Sequence, residues 1–137
     1  MLQNLYPHLR AFHGLLFWFV LAAALAAIFV ALSGWSGTKP ASVNLLRFSI
    51  VFVVAMDIEF IIGLFLYFGA TPGARAAVAS HAVLMFLAVI CAHAGAALSR
   101  KGRTDLMKYR GVVIACTISL LLLLSNIPWR SLFNLGS

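Results

Sequence analysis

The chain has 137 residues, of which 64% are apolar and 9% are charged, and its mean hydropathy is +1.05. Soluble domains average ~45–50% apolar and ~25% charged residues, so this composition excludes a soluble domain or a disordered chain and indicates an integral membrane protein. Ten Lys/Arg against three Asp/Glu give a net charge of +7. In a membrane protein this excess belongs to the connecting loops, so we do not interpret it as a nucleic-acid-binding surface.

Four long apolar stretches predict transmembrane helices, at 9–32, 43–68, 74–98 and 111–129. Each reaches or approaches the ~20 residues that a helix needs to cross the hydrocarbon layer. The predicted connections are rich in Gly and Pro or in charge, at 33–40, 69–73 and 99–110. Short connections favour antiparallel neighbours, so we expect one all-α domain over 1–137, an up-down-up-down bundle of four transmembrane helices.

The distribution of Lys and Arg predicts the orientation of the bundle. Three lie in the tails and the second connection: Arg10, Arg75 and Arg130. Seven lie in or beside the first and third connections: Lys39, Arg47, Arg100, Lys101, Arg103, Lys108 and Arg110. Positive residues favour the cytoplasmic side, so we expect both termini outside. The predicted location is a bacterial inner (cytoplasmic) membrane.

Small residues predict where helices approach each other in lipid. Alanines are concentrated at 22–31 of the first span and at 88–97 of the third, together with Gly95. These two spans can therefore approach closely or leave room for a flat molecule. The unbroken leucine run at 120–124 favours a lipid-facing fourth span.

Two histidines fall at similar depths near the outer ends of different spans. His13 lies three residues after Arg10, and His81 lies six residues after Arg75, which correspond to ~5 and ~9 Å of helix. In an up-down bundle the first and third spans are diagonal across the core, so the two imidazoles can face one gap. Two such imidazoles can ligate a haem iron, while Arg10 and Arg75 lie where haem propionates would emerge. The alternative is that each histidine bonds a neighbouring backbone or a lipid headgroup.

Two further residues of the third span, Met85 and His93, are candidate site residues. Met85, four residues after His81, shares its helix face and is expected to pack there, with thioether ligation as the alternative. His93 lies ~18 Å further along the third span, where we expect a helix–helix hydrogen bond.

Asp57 and Glu59 are intramembrane acids two residues apart, so they point ~200° from each other on a helix. They cannot both face one core, and an ionised carboxylate does not face lipid. We therefore expect that one of them contacts a partner subunit or that one or both are protonated, with a proton or quinone role as the alternative.

Several segments, in this order and spacing, resemble a family of small four-helix bacterial membrane proteins labelled cytochrome b-like. The matching segments are His13-Gly-Leu-Leu-Phe-Trp18, 57–68, His81-Ala-Val-Leu-Met85, 100–105 and 119–129. This chain departs from the family pattern at Asp57, Phe17 and Ser80, where the family has histidine, arginine and an acid. The resemblance implies haem binding, and the change at Asp57 leaves His13 and His81 as the remaining pair.

The sequence thus favours a non-catalytic membrane subunit that binds haem b near the outer face and transfers electrons to or from a partner redox protein or quinone. The alternative is an accessory subunit of a larger respiratory or photosynthetic complex, without cofactor or in contact with a pigment. A transporter is less favoured because the spans show no broken-helix repeat.

Overall fold

The computed structural model describes residues 2–125 and residue 127, with side chains from Leu5 onward. This part of the chain forms four helices: α1 (Leu2–Leu32), α2 (Val43–Gly69), α3 (Pro72–Lys101) and α4 (Asp105–Ser125). All four are long and apolar enough to span a membrane. The predicted all-α four-helix architecture is therefore confirmed. Trp129, the predicted end of the fourth span, and Arg130 lie outside the described residues.

The helices form a ring in chain order. α1 packs against α2 and α4, and α3 packs against α2 and α4. α1 and α3 are thus diagonal, as the up-down-up-down topology requires. We call the end with the α2–α3 connection the cavity end, and the end with the other two connections the closed end.

At the start of three helices, a polar side chain accepts a hydrogen bond from a backbone N–H of the first turn. Ser42 Oγ accepts from the Leu45 N–H, Thr71 Oγ1 accepts from the Ala74 N–H, and Thr104 Oγ1 accepts from the Met107 N–H. Each bond satisfies a backbone donor that the helix itself leaves unpaired. These caps set where α2, α3 and α4 start.

The predicted charged connection at 99–110 is wrong, because the break between α3 and α4 covers only 102–104. Arg100 and Lys101 lie in the last turn of α3, where positive charge favours the negative end of the helix dipole. Asp105 occupies the first turn of α4, where the opposite sign is favoured. Both helices therefore continue into this charged segment, beyond the apolar stretches that predict the spans.

Alanines line the core, but the predicted close approach of the first and third spans is not the main contact. Ala24, Ala27, Ala88 and Ala92 are buried. α3 instead packs closely on α4, since a Cβ on Gly95 would lie 3.2 Å from that of Ala115.

The lipid-facing fourth span is also not observed. Each of the four helices buries the same 33% of its most apolar segment. Leu123, within the leucine run, is 2% exposed. In a ring of four helices every helix has two neighbours, so no helix is much more exposed than the others.

Tyr109 closes the end of the bundle opposite the cavity. Its ring is buried, and its hydroxyl donates to the Pro40 carbonyl at 2.9 Å and accepts from the Ser42 N–H at 3.3 Å. Gly34 packs against this ring so tightly that a Cβ there would overlap it. α4 is thereby fastened to the α1–α2 connection.

Candidate functional site

A cavity of about 1160 Å³ occupies the cavity end of the bundle. Small-molecule pockets measure ~300–1,000 Å³, so this one has room for a large organic ligand. Its walls come from the first half of α1, the second half of α2, the first half of α3 and the end of α4. All four elements therefore contribute to one site.

The structure brings His13 and His81 to this single cavity. His13 projects from α1 and His81 from the diagonal helix α3, and both side chains are half-buried. The matched depths of the two histidines predicted this juxtaposition at one end of the bundle. Whether the two imidazoles ligate an iron stays a prediction.

The other predicted cofactor contacts divide into two groups. Arg10 and Met85 line the cavity, and Met85 is 9% exposed. Arg75 is not among the lining residues, although Ala74 and Val78 are. The predicted role of Arg75 at the cavity rim is therefore not supported by its position.

Glu59 of α2 faces His13 within the same cavity wall. Its Oε1 lies 3.1 Å from His13 Nδ1, with side-chain exposures of 6% and 26%. The atoms are close, but the contact does not meet hydrogen-bond geometry, since Nδ1 and Glu59 Oε2 are buried without hydrogen-bond partners among the described residues. Hydrogen-bonding capacity is therefore left over on both side chains.

Gly63 makes room for the His13 ring, one helical turn after Glu59. A Cβ at this position would lie 3.3 Å from His13 Cε1 and 3.8 Å from Nε2. The ring is thus seated along the Glu59–Gly63 face of α2. This role of Gly63 was not predicted from the sequence. The i, i+4 spacing, which puts Gly63 on the same helix face as Glu59, was the available signal.

Asp57 pairs with His93 of α3, on the face of α2 opposite to Glu59. Asp57 Oδ1 and His93 Nε2 are 3.0 Å apart and form a hydrogen bond. This is the helix–helix hydrogen bond expected for His93. Unlike Glu59, both side chains are well exposed, at 37% and 53%.

The two acids of α2 therefore face different flanking helices, as their ~200° separation predicts. Each is matched by a histidine of this same chain, which the sequence analysis did not anticipate. Two carboxylate–imidazole pairs lie at neighbouring depths, with Glu59–His13 inside the bundle and Asp57–His93 on its outer surface.

Among residues 2–125 and 127, no group of three or more His, Cys, Asp or Glu side chains is arranged to bind a bare metal ion. A haem iron needs only axial ligands from the protein. Comparison with known proteins finds no matching family model, curated protein or solved structure.

Proposed function

We propose that this chain is a non-enzymatic membrane protein that binds haem b between His13 and His81 and transfers single electrons. The observation that carries the proposal is that two imidazoles on diagonal helices line one cavity of about 1160 Å³. Bound haem would supply the one-electron chemistry, and the protein would supply ligands, burial and orientation. The resemblance to cytochrome b-like proteins points to the same cofactor.

Glu59 supports His13 as an axial ligand. Histidines that ligate metals usually present their other ring nitrogen to a carboxylate or carbonyl, which fixes the tautomer and the ring orientation. Glu59 Oε1 lies 3.1 Å from Nδ1, and Gly63 leaves the space that the ring occupies. With Nδ1 next to Glu59, Nε2 would be the nitrogen available to a haem iron.

Arg10 and Met85 fit the periphery of the same cofactor. Both line the cavity, Arg10 as an exposed cation and Met85 as a buried apolar side chain. A guanidinium binds carboxylates strongly, so Arg10 would hold a propionate. The flexible Met85 thioether would fill space beside the ring.

We further propose that the cavity lies at the outer face of a bacterial inner membrane, with both termini outside, because Lys and Arg are concentrated in the connections at the other end of the bundle. Apolar helices of this length are compatible with such a location. A haem there would exchange electrons with a redox protein on the outer side or with a quinone in the adjacent bilayer.

The test is the absorption spectrum of the chain purified in mild detergent after expression with haem supplied, oxidised and then reduced with dithionite. We expect the spectrum of low-spin haem, with resolved absorption bands in the reduced state. This spectrum should be lost in His13→Ala and in His81→Ala. His93→Ala is the matched control, because His93 lies outside the cavity lining; its spectrum should be unchanged.

A haem-free preparation, or an unchanged spectrum in both cavity variants, would contradict the proposal. A colourless chain that co-migrates with large redox subunits would instead favour the accessory-subunit role. Circular dichroism of each variant distinguishes loss of haem from loss of fold.

A further inference from the structure

Asp57 and His93 are exposed where the surrounding medium is hydrocarbon. Asp57 is 14 residues after Val43 and 12 before Gly69, so it lies ~18–21 Å from either end of α2. The Asp57 side chain is 37% exposed and that of His93 is 53% exposed. Ionisable groups at this depth are costly in lipid, and they usually face another protein segment or a water-filled cavity.

The surface around this pair is apolar or small. Ile61 and Ile90 are large, exposed apolar side chains, and Ala94, one position after His93, is exposed as well. The observed contact uses one oxygen of Asp57 and one nitrogen of His93. A carboxyl group has two oxygens and an imidazole two nitrogens that can form hydrogen bonds, so each group can bind one more partner.

We propose that a second copy of this chain docks on the α2–α3 face, related by a two-fold axis along the membrane normal. Asp57 lies on one side of this face and His93 on the other, because they belong to neighbouring helices. A two-fold rotation places each acid opposite the imidazole of the other copy at the same depth. Two acids and two imidazoles then alternate around the axis.

An identical partner fits this face because the patch carries one acid and one base and is therefore complementary to itself. Closed two-fold interfaces pair one patch with its own copy. Ala94 lets the two surfaces approach closely, as small residues do between membrane helices. Lipid headgroups cannot offer the same pairing because they lie far from this depth. The inference does not depend on haem binding.

The first test is disulfide cross-linking in native membranes with the Asp57–His93 pair intact. Because the two-fold axis sets α3 opposite α2 of the other copy, two differently tagged forms are coexpressed, one with Ile61→Cys and one with Ile90→Cys. The control replaces Ile90→Cys by Ile114→Cys on α4, since Ile90 and Ile114 are 49% and 52% exposed. All forms carry Cys91→Ala, while the buried Cys116 is retained. We expect an oxidised dimer of the two tagged forms with Ile90→Cys and only background with Ile114→Cys.

The second test measures dimer dissociation of the whole chain in nanodiscs or mild detergent. Asp57→Asn should weaken the dimer about tenfold, because a symmetric interface loses two interhelical contacts that together are worth ~1.4 kcal/mol. The exchange Asp57→His with His93→Asp should recover most of the affinity.

Equal cross-linking of the two cysteine pairs, a monomeric wild-type chain, or a dimer indifferent to Asp57→Asn would overturn the proposal. A 1:1 complex with an unlike protein across this face would overturn it too. The cross-linking result stands even if Asp57→Asn fails to fold, because it uses the unaltered pair.

Discussion

The closed half and the cavity half of this bundle differ in how tightly their side chains pack. In the closed half, small residues bring α3 onto α4, and the buried Tyr109 ties α4 to the α1–α2 connection. In the cavity half, His13, His81 and Glu59 surround about 1160 Å³ of space. Close packing therefore holds the helices together at one end, whereas the other end encloses a cavity.

The largest effect on stability is expected at the pair inside the cavity half. His13→Leu leaves the buried Glu59 carboxylate without its imidazole, and removing one partner of a buried pair costs ~3–5 kcal/mol. We expect the low end of that range, because His13 is 26% exposed. Thermal unfolding in a fixed detergent measures the loss.

The double variant His13→Leu with Glu59→Leu is the matched control for this prediction. Replacing a whole buried pair by apolar side chains is often neutral or stabilising. The double variant should therefore unfold at a higher temperature than His13→Leu alone. If the two losses simply add, Glu59 and His13 are not energetically coupled, and the cavity half owes nothing to their pairing.

A smaller effect is expected at Gly34 in the closed half. The Cβ of Gly34→Ala would overlap the Tyr109 ring, and overpacking of this kind costs ~1–3 kcal/mol. Gly14→Ala in the cavity half is the control, since nothing lies within 4 Å of its Cβ position. Because alanine favours a helix over glycine, that control should be neutral or slightly stabilising. Equal destabilisation by both changes would remove the difference in packing between the halves.

The smallest effect is expected from one hydrogen bond between α3 and α4. Ser119 Oγ donates to the Ala88 carbonyl at 2.7 Å in the buried core. Ser119→Ala should cost about 0.6 kcal/mol, the average for such bonds in membranes. Ser125→Ala provides the comparison, because its hydroxyl bonds within its own helix and is exposed. Chemical unfolding in mixed micelles should separate the two, with a shift in Ser119→Ala alone.

Several features of the site could be read from residue spacing. The i, i+2 separation of Asp57 and Glu59 predicted opposite directions on α2, and Glu59 is indeed buried while Asp57 lies at the surface. His13 and His81 were expected at one end of diagonal helices, and both line the cavity there.

The partners of the two acids could not be read in the same way. Periodicity gives the angle of a side chain about its own helix, but not the direction in which four helices follow one another around the ring. That direction decides whether Glu59 meets α1 and Asp57 meets α3, or the reverse. Arg75 was expected beside the cavity from its depth alone, and it is not among the lining residues.

The sequence by itself determined a membrane-embedded, all-helical chain with four spans, because apolar length and hydrogen-bonded backbone leave few alternatives in lipid. Tertiary structure alone decided that Gly63 seats the His13 ring beside Glu59, and that His93 meets Asp57 on the outer surface. The physical reason is range: spans are set by local composition, whereas these contacts join residues 36 or more positions apart and exist only once the helices have packed.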